Sequence, residues 1–271
     1  MTDRVRFRPF TGDSERRVEM TRAPLELVLV QVRWPEHGRL AVDFKKLALA
    51  FGENLDQFPL FQEVVEQGIQ ITPEGVQAIS GETSYQWRSI DDVWVVQLTK
   101  TFMSLYCMPH DNYRFAELSE RLDHLTQLLQ SVLQIRLTDR IGVRYVNRLS
   151  EQDVMKELPT IFDGPVLGMS GLAVQPGVQL VNTLSQAIYK TEDVALHVRS
   201  GYLGPGETMD PAIKPVDSQS WVLDLDASQE MRSVFDLGQI QAVVGRLADV
   251  AYDFFKLVLK DKGELRLEGR S

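Results

Sequence analysis

Apolar residues crowd together from Leu27 to Val32, a nearly continuous Val/Leu run of the kind a strand covered on both faces needs, and Trp34-Pro35 ends it. Over 43–58, Phe44, Leu47, Ala48 and Phe51 set an apolar stripe at helical spacing, with Asp43 placed to cap its N-terminus. Period-two alternation then predicts three strands, about 67–72, 82–90 and 93–107, with Asp91-Asp92 as the turn between the last two. Residues 113–135 return to helical spacing: Leu118, Leu122, Leu125, Leu129 and Val132 share one face, and Glu117, Glu120, Arg121 and Asp123 lie off it.

The series then restarts. A strand is predicted at 138–149, a short helix at 153–158, strands at 172–189, 194–203 and 219–227, and a long amphipathic helix at 236–260 with Asp236 as N-cap. Short matches follow the same order: WVVQLT at 94–99 with WVLDLD at 221–226, Arg88-Ser89 with Arg199-Ser200, and RLDHL at 121–125 with RLADV at 246–250. The chain therefore reads as α+β: two tandem β-α-β-β-β-α units with antiparallel sheets and the long helices on one side. An N-terminal arm at 1–22 precedes a first unit at 23–135 and a second at 136–271, with Trp94 and Trp221 at equivalent core positions. Within the arm, Arg4 to Arg8 alternate as a short edge strand would. The extra length of the second unit falls in the Gly- and Pro-rich stretch 201–219, and the loop 201–216 is the leading candidate for a partner-contacting or pocket-covering element. In element order alone the chain resembles the saddle of TATA-binding proteins, a likeness of fold that transmits no function.

Charge opposes a DNA role. At a net −9 the chain lacks the Lys/Arg excess that broad phosphate neutralisation requires, so nucleic acid is disfavoured and the expected partners are proteins with basic surfaces or small ligands. A single cysteine, Cys107, excludes an internal disulfide and a multi-thiolate zinc site, and it fits a reducing, cytoplasmic setting. Charges at Asp3, Arg4, Arg6 and Arg8 stand where a signal peptide would be apolar. The uncharged run 165–189 holds Pro176, several amides and several glycines, which argues against a membrane span.

Two stretches, APLELVLVQVRWP (23–35) and DRIGVRYVNRL (139–149), resemble the paired signatures of an uncharacterised bacterial family described as sporadically distributed, and the likeness in length and order covers nearly the whole chain. The resemblance implies accessory or defence-associated genes rather than core metabolism. The family has no assigned activity, so it contributes no catalytic residue. Its members often carry a His in the last helix near the position of Ala248 or Asp249, where this chain has none.

Candidate chemistry centres on the strand 139–149, where Arg140, Arg144 and Arg148 share one face four residues apart, roughly 13 Å at strand rise. Such a ladder is spaced for an extended anionic ligand or an acidic partner segment, and equally for structural pairing with the chain's own acids. Asn147, on the apolar face of that strand, is expected to brace a turn or neighbouring backbone rather than touch a ligand. Asp224 and Asp226 lie two apart on one strand face, within reach of a shared divalent cation, but Gln97 and Thr99 at the matched places argue instead for a solvated face or for pairing with the ladder. His37, His110, His124 and His197 are scattered, without the spacing of a zinc pair or a triad. Cys107, three residues before His110, reads as an inert core thiol, Met169-Ser170-Gly171 as a turn, and GYLGPGE at 201–207 as a loop rather than a phosphate cradle. No catalytic residue, metal site or cofactor is assigned. The sequence thus points to a non-enzymatic interaction or regulatory component, antitoxin-, immunity- or defence-associated. The alternatives are a binder of a small anionic ligand on Arg140, Arg144 and Arg148, or a metal-dependent enzyme using the same groove.

Overall fold

The computed structural model describes residues 6–13, 23–72, 75–108, 113–172, 174–210, 213–261 and 263, and among these the side chains of all but 66–72 and 75–81. Strands β1 (Leu25–Arg33), β2 (Leu60–Thr72), β3 (Gly75–Arg88), β4 (Trp94–Leu98) and β5 (Phe102–Cys107) come from the first part of the chain, and β6 (Leu137–Leu149), β7 (Thr183–Lys190), β8 (Ala195–Leu203) and β9 (Ser220–Val234) from the second. Helices α1 (Gly38–Gly52) and α2 (Phe115–Leu128) belong to the first part, and α3 (Gln152–Ile161), α4 (Gly164–Leu167) and α5 (Leu237–Val258) to the second. Among the described residues the strands form one nine-stranded sheet in the order β2-β3-β4-β5-β1-β6-β9-β8-β7, antiparallel throughout. Helices and a large antiparallel sheet make the chain α+β, and none of the described helices is long and apolar enough to cross a membrane.

β1 lies mid-sheet, paired to β5 on one side and β6 on the other. Its Val28, Val30 and Val32 are fully buried, which is why its apolar run is nearly unbroken. They join Leu105 of β5 and Val143 of β6 in one continuous core. The helices complete it with Phe44 and Leu47 of α1, Leu118, Leu122 and Leu125 of α2, and Val244 and Leu247 of α5. The alternate residues point to the opposite face. There, Leu27, Val146, Leu203 and Val222 form a smaller cluster beneath Ile213.

Several boundaries differ from the sequence reading, each for a local reason. α1 begins five residues before Asp43, because Leu40 extends the buried stripe of Phe44 and Leu47 by one turn, and Asp43 lies inside the helix at a kink (φ −109°, ψ 19°). The expected strands 67–72 and 82–90 are the ends of one long hairpin, β2 with β3, paired from Leu60–Arg88 to Thr72–Gly75. The expected strand 93–107 is two strands. Thr99 folds it back: its Oγ1 accepts from the amides of Thr101 (3.2 Å) and Phe102 (3.1 Å), and its own amide donates to Phe102 O (2.9 Å). Four strands therefore follow α1, not three. Of the expected strand 172–189 only the part from Thr183 is extended ladder, whereas β9 runs on to Val234. Asp236 caps α5 as expected, accepting from Gln239 N at 2.7 Å.

The Thr99 turn also overturns the equivalence of the two tryptophans. Trp221 lies on β9, next to β6, but Trp94 lies on β4, with β5 between it and β1. Arg88 and Arg199 likewise fall on β3 and β8, at different distances from the centre of the sheet. Both indoles are buried, Trp94 beneath the Arg121 guanidinium (4.4 Å to the ring centre) and Trp221 against Phe162 (4.7 Å between centroids).

The arm does not form the expected edge strand in its described part, residues 6–13; Arg4 and Val5 lie outside the described residues. These residues pack on α5 instead. Arg8 Nη1 donates to Asp249 O (2.9 Å), and the amides of Phe10 (2.7 Å) and Thr11 (3.3 Å) donate to Asp253 Oδ2, with the Thr11 hydroxyl on Oδ1. Phe10 sits edge-on between Phe254 of α5 (5.2 Å) and Tyr189 of β7 (5.5 Å). Asp253, 1% exposed, is thus a buried carboxylate whose partners come from more than 240 residues away in sequence. Asp253→Ala should lower the unfolding free energy by about 1–3 kcal/mol in urea denaturation, by stranding the arm's amides. The same substitution in a chain lacking residues 1–13 should have little effect, because the carboxylate then holds nothing.

Candidate functional site

The arginine ladder lies on β6, facing away from the main core, and the sheet register decides what surrounds it. β9 places Asp226 opposite Arg144, Asp224 opposite Val146 and Glu230 opposite Arg140; β8 then places Arg199 opposite Asp224 and His197 opposite Asp226. Arg140 lies flat over Gly142, where an added Cβ would come within 2.8 Å of its Nη1. That path lets it donate to Gln31 of β1 (2.9 Å) while staying near Asp226 (3.6 Å) and Glu230 (3.9 Å).

Arg144 is held on two sides. Its Nε and Nη2 donate in parallel to the two oxygens of Asp224 (2.8 and 2.9 Å), and Nη2 also donates to Asp210 (2.8 Å), a residue of the 201–216 loop. Arg199 adds a second guanidinium to the same pair of acids: its Nε lies 2.8 Å from Asp224 Oδ2 and its Nη2 3.3 Å from Asp210 Oδ2. The Asp224 side chain is 1% exposed and that of Arg144 11%. Burial by itself would depress the Arg144 pKa, but the bonds and charges of Asp224 and Asp210 together outweigh it and hold the group above its ordinary value. The loop is thereby tied to the sheet by charge, and Ile213 ties it a second time through the small apolar cluster.

Arg148 is the most enclosed of the three, its side chain 3% exposed. Nη1 donates to Lys214 O (2.6 Å) and Glu26 (3.3 Å), but Nε and Nη2 have no hydrogen-bond partner among the described residues. Beside it Asn147 braces the backbone as expected, donating to Leu223 O at 3.2 Å.

The structure therefore brings Arg140, Arg144 and Arg148 onto one face and supplies each with acids or carbonyls of the chain itself. The sequence reading passed over Arg199 and Asp210 as members of this network. Arg199 was visible only as part of a repeated dipeptide, and Asp210 only as one loop acid; their meeting depends on β8, β9 and β6 lying side by side, which no local pattern encodes. Asp249 and Asp253, by contrast, carried a signal, as acids four residues apart on the apolar face of the last helix.

Other candidates are tied into the fold. Cys107 is buried, and burial pushes its thiol up to about 12 against the opposing charge of Arg121; His110 lies outside the described residues. In the glycine-rich stretch, the Gly204 amide donates to Glu207 (2.8 Å), which also accepts from Asn182 (2.6 Å). These two bonds hold the Glu207 carboxyl below its ordinary range. Ser170 donates to Leu167 O within a short 3₁₀ turn. Both oxygens of Asp224 accept from guanidinium groups, and among the described residues no three His, Cys, Asp or Glu side chains gather as a metal-binding group. Comparison with models of known families, with curated proteins and with solved structures finds no match.

Two substitutions test this description. Arg144→Ala leaves Asp224 buried with one guanidinium instead of two and should destabilise the chain by about 3–5 kcal/mol in chemical denaturation. Asp226 behaves oppositely. Burial raises its pKa, Arg140 opposes this and Asp224 reinforces it. A carboxyl whose folded pKa is raised binds its proton more tightly in the folded state, so stability falls as pH rises through the interval from its unfolded to its folded pKa. Asp226→Asn should therefore raise the melting temperature at neutral pH, with the gain vanishing below the ordinary carboxylate range.

Proposed function

We propose that this chain is a non-enzymatic, cytoplasmic interaction component of the regulatory, immunity or defence-associated kind, which takes an extended segment of another protein onto the outer edge of β7. The observation that carries this reading is the character of that edge. β7 pairs with β8 on one side, has no strand on the other among the described residues, and exposes Leu184 (53%) and Ile188 (59%) on one face. Sheet edges are usually guarded by charges, prolines or bulges; β7 has one charge, Lys190 at its end, and no proline. Just before it, Met169, Leu172, Val174, Val178 and Val181 are all exposed. An added strand would gain the free backbone groups of β7, and alternate aliphatic side chains would meet Leu184 and Ile188. The absence of acids on β7 suits a neutral or acidic partner strand.

The same reading takes the chain as two tandem units joined where β1 meets β6. In its support, each half opens on a central strand, follows it with a helix, builds its further strands back toward that central strand, and closes on a long helix. The likeness of 23–35 and 139–149 to a scattered bacterial family supports an accessory role. Internal pairing of all three ladder arginines favours the interaction reading over a small anionic ligand on that face.

Leu184→Glu with Ile188→Glu changes exposed side chains and should shift stability by no more than about 0.5 kcal/mol each. In co-purification from the native cell, quantified by mass spectrometry, the double variant should lose a protein that the wild type and a Leu257→Glu control both retain. An unchanged set of proteins would sink the edge as the docking surface.

A further inference from the structure

The ladder face holds a second recognition surface, occupied by the chain's own loop. On the sheet, Asp224 is held between Arg144 and Arg199, Asp226 lies across from Arg144, and Asp210 arrives from the loop as a further carboxylate shared by both guanidinium groups. Asp210 thus stands where a carboxylate ligand would stand, on nitrogens of two guanidinium groups at 2.8 and 3.3 Å. Three residues on, Ile213 (1% exposed) fills the apolar hollow formed by Leu27, Val146, Leu203 and Val222, and a bond from Ile213 N to Asp210 O (2.9 Å) links the two residues. A charge socket and an aliphatic socket side by side, filled by two residues of one loop, are the parts of a peptide-binding site.

The fit of the loop is incomplete at its far end. Arg148, whose Nη1 takes Lys214 O, keeps Nε and Nη2 buried with no acceptor among the described residues. Buried guanidinium donors are costly to leave unpaired, so an occupant bringing one more acceptor to this point would be held better than the loop is.

We propose that Arg144, Arg199 and Arg148, with the adjoining apolar hollow, form a binding site for an acidic turn of a partner protein, an Asp or Glu followed three residues later by a branched aliphatic side chain, and that Asp210 and Ile213 occupy it as an internal substitute. This rests on the interaction reading but not on the edge of β7. The tethered loop acts at an effective concentration on the order of millimolar, so a free peptide meets a largely closed site in the wild type.

The probe is a fluorescein-labelled peptide with the sequence of residues 207–216, titrated with the full chain and read by fluorescence anisotropy. Asp210→Asn with Ile213→Ala empties the sockets and should bind the probe at least tenfold more tightly than the wild type does. Replacing the probe's Asp by Asn, or adding Arg199→Ala to the double variant, should abolish the gain. Equal binding by wild type and double variant would overturn the proposal, as would a gain that survives loss of the probe's carboxylate. Should circular dichroism show the double variant unfolded, saturating probe on the wild type decides: faster amide exchange over 204–216 is expected, and unchanged exchange refutes displacement. Leu184→Glu with Ile188→Glu should leave probe binding intact, so failure at the edge of β7 and failure at this site are read separately.

Discussion

The antiparallel pairing of β1 with β6 is the constraint on which everything else in the molecule rests. It runs from Arg33 opposite Arg140 to Leu25 opposite Asn147, and it makes one sheet of strands that would otherwise be two. Because side chains alternate along a strand, a single register decides at once that Val28, Val30 and Val32 meet Tyr145, Val143 and Ile141 in the main core and that Arg140, Arg144 and Arg148 turn away from it. A slip of β6 by one residue would turn its arginines under the helices and its Ile141, Val143 and Tyr145 outward. The fully buried valines of β1 therefore also fix the ladder's direction.

With the ladder fixed on the outer face, the second constraint is electrostatic. A guanidinium cannot be buried unpaired, and neither can a carboxylate as enclosed as Asp224. β9 and β8 resolve both at once, setting Asp224 between Arg144 and Arg199, and the Nη2 nitrogens of the two guanidinium groups take Asp210 as well. The loop that carries Asp210 thus needs no regular structure of its own. Its position follows from one ion-paired residue, one buried aliphatic residue and the bond from Arg148 to Lys214.

The same logic recurs on the helical side. Asp249 and Asp253 interrupt the apolar face of α5, and the N-terminal arm answers them with Arg8, two amides and a hydroxyl. In both places a segment without secondary structure is tied to a regular element through charge: the arm satisfies the buried acids of α5, and the loop brings Asp210 to the guanidinium groups of β6 and β8. Where no such acid lies, as along β7, the surface stays open and apolar.

The sequence by itself determined the elements whose burial is one-sided or complete: the unbroken run of β1, the leucine stripe of α2, the strand at β6, and the capped start of α5 at Asp236. In each, periodicity reports a face that must be dry, and periodicity is a local property. It also placed the three arginines on one face and Asn147 on the other. What only the tertiary structure decided was which strands lie side by side, and hence who pairs with whom. The fold-back at Thr99 depends on one hydroxyl capturing two amides; its trace in the sequence is the change of the buried positions from Trp94, Val96 and Leu98 to Met103, Leu105 and Cys107 across Thr99-Lys100-Thr101, and reading 93–107 as one strand passes over that change and misaligns Trp94 with Trp221. Arg199 and Asp210 were equally hidden, because a charge announces its need for a partner but not the partner's place in the chain. Hydrophobic pattern is written along the sequence; charge pairing across a sheet is set by neighbours that the chain brings together only when it folds.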